Sequence, residues 1–516
     1  MINKVEANGN KYTKRVLLLI LFFSILKFFI AGNIDLGTDE SYYWLYAQKL
    51  QINYFDHPPM VAYWLRFFTG NLLLQQYEVF VRLGSIVACG FSTWFMYKTV
   101  AEVHSQRAGW IAACLYNASL YATVTAGLLA MPDAPQMFFY TLSLWMLVKI
   151  YSNEKAIYPW ILFGIASGLC IISKAHGIFL WVGVGTYVLF CKRNWLGYYQ
   201  LYLAALIAII IASPIVFWNI ANDFVTYKFH TNRVVIQETG VNWMGFVREL
   251  IGEIIINNPF NIVLILLALF IKNKLVSIKQ SPILIFNYIG LTLLFTIFFI
   301  ALFRETLPHW SGVAYVALIP IAAIKFDSLT NKKLRLLPAL SMTFCVLVLL
   351  SIYSFINFYP GNFAKGNKEN YGHADLSVDN YGWSMAAPVI NIICQDEIKR
   401  SNWSSNTPFV CNKWWGAHID YYVCVPNGIQ MIGLGEVNEL HQYTWLNSIR
   451  KNSVDLSNAF CVVPSIDNYD VQESYKNYYS KIEYLTTVNV VRQGKPAYYF
   501  FIYKLSGWKN NLPEIK

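Results

Sequence analysis

Apolar runs of roughly 17 to 22 residues recur along this chain, beginning with "VLLLILFFSILKFFI" from Val16 to Ile30. A helix of that length spans about 30 Å of hydrocarbon at 1.5 Å per residue, whereas a membrane barrel would instead show short alternating strands. Only 13% of the residues are charged and 56% are hydrophobic, against about a quarter charged in a soluble domain. The expected fold class is therefore a polytopic α-helical membrane protein. Lys27 interrupts the first run and no small-x-small cleavage pattern follows it, so the run reads as a retained helix rather than a signal peptide. The net charge of +11 does not point to nucleic acid. Basic residues in cytoplasmic loops give the same excess, and no basic run is interleaved with aromatics in a groove-like way.

Eleven spans are expected, at 16–32, 79–97, 109–128, 135–151, 158–173, 177–191, 199–217, 259–271, 282–303, 310–325 and 336–356. One set of loops holds about seventeen Lys and Arg, among them Lys272, Lys274, Lys279, Lys332, Lys333 and Arg335; the other holds about seven, in longer loops. The N-terminus is thus expected in the cytoplasm and, with an odd span count, the tail outside. Residues 1–358 form the expected membrane domain, with a first outer loop at 33–78, and 359–516 a small outer α/β domain. In that tail "FVCNKWW", "YYVCV", "IQMIGL" and "AYYFFIYKL" read as strands and "APVINIICQDEIKR" as an amphipathic helix. No internal repeat is visible. Five cysteines lie in or beside spans and read as small apolar core residues; Cys394, Cys411, Cys424 and Cys461 in the tail allow disulfides without dictating a pairing.

The polar clusters map to the outer side. They are Asp39-Glu40 with Tyr42 and Tyr43; Asp56-His57 in "FDHPPM"; Asp133 in "MPDAP"; Lys174 and His176 in "SKAHG"; His230 and Arg233 in "FHTNR"; and Arg304, Glu305, His309 and Trp310 in "FRETLPHW". Charge near a bilayer is costly, so each is a candidate functional residue. Each also has a plainer role. Adjacent acids at a helix exit solvate or cap the next helix, Asp133 can cap a span, and Lys174 and Arg304 can anchor helix ends by snorkelling. His230 can be a satisfied histidine, His57-Pro58-Pro59 a rigid turn, and Tyr42, Tyr43 and Trp44 part of an interfacial aromatic belt.

Seven stretches in order, "TDESYYWLYAQKL", "YFDHPPMVAYWLRF", "VRLGSI", "MPDAPQMFFYTLSLW", "SKAHGIFLWVGVGTYVL", "SPIVFWNIANDF" and "LPHWSGVAYVALIPI", resemble membrane glycosyltransferases of the GT-C fold that use polyprenyl-phosphate sugars. More closely, they resemble bacterial members of glycosyltransferase family 39, related to protein O-mannosyltransferases and the lipid A aminoarabinose transferase. It covers residues from about 16 to 325, and the tail more loosely. The resemblance implies an inverting enzyme of the bacterial cytoplasmic membrane, working at its periplasmic face on a polyprenyl-phosphate-linked sugar and a lipid, glycan or protein acceptor, among membrane lipids. It implies Asp39 as catalytic base with Glu40 beside it, and Asp133 shaping the site. Lys174, Arg304, Arg233, Arg66 and His57 become candidate cations for the donor phosphate, and His176, His309, Trp310, Tyr42 and Tyr43 further site candidates. Asp56 and His57 stand where the aminoarabinose-transferase branch has Glu and Lys. Asp56 and His230 are the candidate ligands for a divalent ion (Mg, Mn or Zn). A lipid-linked sugar transporter or flippase is the competing class; it calls for polar residues at the bilayer midplane and broken, repeated helices, whereas the spans here are mostly clean. A non-catalytic membrane anchor gives no reason for polar motifs in so many outer turns.

Overall fold

The computed structural model describes residues 2–235, 240–270, 282–328, 336–364 and 366–509. The loop residues Lys272, Lys274, Lys279, Lys332, Lys333 and Arg335, used above for orientation, lie outside the described residues. The chain divides into two compact units, one made of 1–31, 51–68 and 82–349, the other of 32–50, 69–81 and 350–516.

The first unit is helical. Its elements are α1 (Ile2–Ala31), α3 (Met60–Phe68), α5 (Gln106–Ala118), α6 (Asp133–Ser152), α7 (Ile157–Ile171), α8 (Phe179–Cys191), α9 (Tyr199–Ala221), α10 (Val225–Val234), α11 (Trp243–Ile256), α12 (Pro259–Phe270), α13 (Leu284–Ala301) and α14 (Gly312–Asp327), with most of α4 (Glu78–Val103) and the start of α15 (Leu337–Phe358). By length and composition, five stretches among the described residues can cross a membrane: α4, α9, α13, α15 and Pro308–Asp327, which includes α14. A sixth results if α11 and α12, bent by 100° against each other, count as one broken span. α9 has the sidedness that a span at the edge of a bundle needs: Leu206, Ile209, Ile210 and Phe217 are exposed, while Ala204 and Ala208 are buried.

At two places the helices depart from the expected spans. The run expected at 109–128 stops at Ala118 and continues as a π-helical turn, Tyr121–Thr125, closed by Ala126 N–H on Tyr121 O at 2.9 Å. The run expected at 259–271 is preceded by α11 rather than by a loop. Between α11 and α12, Asn258 takes the left-handed backbone (φ 71°), a conformation asparagine tolerates better than most residues. Its side-chain amide donates to Ala118 O and Ser341 O at 2.9 Å each, which fixes the bend against two neighbouring helices.

The second unit joins α2 (Thr38–Gln48) and residues 69–81 to the C-terminal part of the chain. Leu36 N–H donates to Tyr422 Oη at 2.6 Å, Trp44 Nε1–H to Gln75 Oε1 at 2.9 Å, and Tyr421 Oη to Gln75 O at 2.5 Å. The sheet contains β1 (Phe409–Cys411), β2 (Met431–Gly433), β3 (Asn458–Pro464), β4 (Tyr479–Arg492) and β5 (Lys495–Trp508), in the order β2-β1-β3-β5-β4. β1 runs parallel to β2 and β3, and β3, β5 and β4 are antiparallel. Gln493 and Gly494, both at positive φ, make the two-residue turn of the β4–β5 hairpin, the geometry such tight hairpins favour. α16 (Trp383–Ser401) supplies Trp383, whose ring meets Phe500 of β5. The strand expected at "YYVCV" is instead a π-helical turn, Asp420–Cys424, with every residue buried. All nine cysteines are free thiols.

Candidate functional site

In the first unit the polar turns converge on Asp133 and Lys174. Asp133 opens α6 directly after Met131-Pro132, and Lys174 precedes the short 3-10 turn Ala175–Ile178. Lys174 Nζ lies 2.8 Å from both carboxylate oxygens of Asp133, and Tyr121 Oη donates to Oδ1 at 2.7 Å. All three side chains are buried. The π-helical turn aims Tyr121, and Gly312 makes room for it: a Cβ at position 312 would fall 2.3 Å from the ring. Polar groups placed by tight local backbone and held from several directions are pre-ordered, as functional sites require.

His176 and His309 lie within electrostatic reach of this pair and of each other, and His57 within reach of both histidines. Arg233 belongs to the same group. Its guanidinium stands 5.5 Å over the Trp310 ring and 5.6 Å over Phe229, and Trp310 in turn faces His176 at 6.1 Å. Arg304 acts on Arg233 through the backbone, donating to Arg233 O at 3.2 Å and Asn232 O at 2.8 Å. Cations over aromatic faces keep their charge available to an incoming anion. Asp56 and His57 are adjacent at 3.3 Å, and His230 Nε2 contacts the Asp56 backbone carbonyl at 2.7 Å, not its carboxylate. Burial holds His230 below its ordinary histidine value. No group of three or more His, Cys, Asp or Glu side chains arranged for a metal occurs among the described residues. Arg66, in the last turn of α3, is half-buried near Tyr54.

In the second unit the acid pair of the first outer loop divides its labour. Glu40 is buried and its Oε2 accepts the Gly37 N–H at 3.0 Å, closing the N-terminus of α2 as a capping-box acid does. Asp39 is exposed on the same first turn. The helix start is pinned from outside by Asp379, which accepts the Thr38 N–H and hydroxyl, and Gly37 leaves space for that carboxylate. Tyr42 and Tyr43 are buried and aromatic in their contacts. Tyr42 lies edge-on to Trp414 at 5.0 Å and to His441 at 5.7 Å, and receives the Tyr46 hydroxyl at 3.1 Å. This unit also holds a polar cavity of about 300 Å³ whose lining includes Asn33, Asp35, Glu78, Asn380 and Ser384; none of the residues singled out from the sequence lines it.

Tyr121, Trp414 and Asp379 were not anticipated. Tyr121 carries no motif, and Trp414 and Asp379 meet α2 only through contacts between distant parts of the chain.

The helical bundle and the C-terminal β-sheet domain are the features in which this chain can be set beside known proteins. The comparisons agree at the level of fold. The profile of the family Dolichyl-phosphate-mannose-protein mannosyltransferase matches residues 56–218. The lipid A galacturonosyltransferase RgtD of Rhizobium johnstonii is 21% identical over 304 residues, 58% of this chain; the chain spans 63% of that relative's length. Among solved structures, ArnT from Cupriavidus metallidurans bound to undecaprenyl phosphate superposes with a TM-score of 0.61 at 13% identity, over 96% of this chain and 99% of that one. The oligosaccharyltransferase of Archaeoglobus fulgidus gives a TM-score of 0.50 at 13% identity, over 94% and 74%.

Proposed function

We propose that this chain is an inverting glycosyltransferase of glycosyltransferase family 39. It moves a sugar from a polyprenyl-phosphate donor to a hydroxyl of a lipid, glycan or protein at the outer face of a bacterial cytoplasmic membrane, with the N-terminus inside and the tail outside. The observation that carries the reading is the buried Lys174–Asp133 pair with His176 and His309 in its electrostatic reach, and with His57 and Arg233 beside those histidines. That environment suits a phosphate, and it occurs in a fold that in ArnT is recorded with undecaprenyl phosphate.

The chemistry assigns different work to these residues. The bond from the anomeric carbon to the phosphate oxygen breaks and one to the acceptor oxygen forms on the opposite face. The hydroxyl proton passes to Asp39. The phosphate departs as a stable anion and needs no acid, but it needs cations as its charge grows. Arg233 and Lys174 supply them, with Arg304 holding Arg233 in place. A hydroxyl is a poor nucleophile without a base, and a positioned carboxylate contributes about 10²–10⁴-fold. Asp39 is the exposed acid of the pair, and Glu40 orders its helix. His57, His176, His309 and Trp310 line the phosphate region, Asp133 fixes Lys174, and Tyr42 and Tyr43 pack the helix that carries Asp39. Arg66 remains a candidate for the donor's headgroup.

The test compares Asp39→Asn with Glu40→Gln in membranes, using a radiolabelled polyprenyl-phosphate sugar and profiling of envelope glycolipids, polysaccharides and glycoproteins. Asp39→Asn loses transfer by about two orders of magnitude or more while Glu40→Gln retains it. Unchanged transfer in Asp39→Asn removes the base assignment; movement of donor across the bilayer without transfer favours a flippase.

A further inference from the structure

α11 buries two carboxylates one turn apart. Glu249 is 1% and Glu253 0% exposed, while Val247, Leu250, Ile251 and Ile255 on the rest of the helix are open to the surroundings. The spacing of four places both acids on one face. Thr306 lies against Glu249, and Tyr315 and Ser311 lie against Glu253. Gly252 allows the close approach, since a Cβ there would meet Pro308 Cγ at 2.3 Å.

Tyr315 Oη donates to Glu253 Oε2 at 2.7 Å. Both oxygens of Glu249, Oε1 of Glu253 and Oγ1 of Thr306 are buried with no hydrogen-bond partner. Arg248, next in the chain to Glu249, is engaged with Glu305 at 2.9 Å. Neighbouring carboxylates repel, and a buried polar atom without a partner costs free energy. A cation among these oxygens answers both demands at once.

We infer that Glu249, Glu253 and Thr306 are the protein ligands of a divalent-cation site, with water completing the shell. The donor set is oxygen alone, which selects a hard ion such as magnesium or manganese over zinc. Magnesium commonly takes one or two carboxylates and keeps several waters. The site uses none of the residues assigned to base or phosphate, nor Asp56 and His230.

Manganese is the probe, followed by electron paramagnetic resonance on the full-length protein in detergent after treatment with chelator. One Mn²⁺ binds per chain and raises the thermal midpoint. Glu249→Gln and Glu253→Gln, close in shape to the native residues, each weaken binding at least tenfold. Thr306→Ala, which keeps both acids, weakens it at least threefold and guards against a folding defect in the Gln variants. Asp56→Asn with His230→Gln leaves it intact. Absence of Mn²⁺ binding in the unaltered protein, binding that survives in both Gln variants, or loss of binding only in the Asp56/His230 variant overturns the assignment.

Discussion

Lys174 and Asp133 form a bidentate pair, with Nζ 2.8 Å from each carboxylate oxygen and both side chains shut away from solvent. Removing one partner leaves the other as an uncompensated buried charge. Lys174→Met or Asp133→Leu alone is expected to cost about 3–5 kcal/mol, whereas the two together cost less than the sum of the single changes. Thermal unfolding of the four proteins in detergent checks this; strict additivity would dissolve the pair.

Gly312 sets the position of Tyr121. Gly312→Ala inserts a methyl group 2.3 Å from the ring and displaces the hydroxyl from Asp133, with an overpacking cost of about 1–3 kcal/mol. The expected result is a lower thermal midpoint and weaker donor binding, with a smaller effect from Tyr121→Phe, which keeps the ring.

Glu40 is predicted to matter for helix order rather than for proton transfer. Glu40→Gln preserves an acceptor for the Gly37 N–H and stays close to the parent in stability and turnover. Glu40→Ala costs about 0.5–2 kcal/mol, the range for a lost cap. Turnover and thermal midpoints of both variants separate this from the Asp39 phenotype.

His418 gives the second unit a contribution to stability that is lost in acid. His418 is stacked on Trp383 at 3.9 Å, with Nε2 at 2.8 Å from Leu36 O. Burial pushes its ring below the ordinary histidine value, with Asp379, the Leu36 carbonyl, Asp35 and Asp467 opposing that shift in part. In the unfolded chain the ring takes a proton near pH 6.5, so on the acid side of that value the unfolded state binds more protons. The contribution is complete above about pH 6.5 and falls away below it. Midpoints measured between pH 5 and 8 are expected to drop on the acid side, and His418→Gln to flatten the slope.

Thiol counting tests the cysteines. Only Cys191 is exposed and the other eight are buried. Without reductant, one thiol is expected to react in the folded protein and nine in denaturant; fewer than nine would reveal a bridge.

The polytopic helical class was legible because long apolar runs alone declare it. The breaks were not. The bend at Asn258 depends on carbonyls of Ala118 and Ser341, far away in sequence, and the π-helical turn at Tyr121 lies inside an apolar run with no punctuation. Asp133 and Lys174 stood out as charges in apolar surroundings, but their pairing joins turns 41 residues apart, which periodicity does not encode. The Asp420–Cys424 turn was mistaken for a strand because a short apolar stretch buried on all sides carries no distinguishing period. The capping role of Glu40 was readable from the adjacent acids at a helix start. The buried acids of α11 carry no signal in the sequence, since they sit four apart among apolar residues between two expected spans.

The bond between Leu36 and Tyr422 sets an order of events during synthesis. The two residues are 386 positions apart, which a ribosome working at about 5–20 residues per second covers in roughly 20 to 80 s. For that interval the segment carrying Asp39 has been made and its partners have not. Its amides must be held by water, lipid headgroups or a chaperone until the last third of the chain arrives. A nascent chain halted before Tyr422 would therefore expose the Asp39 segment to protease, and release of the completed chain would close it.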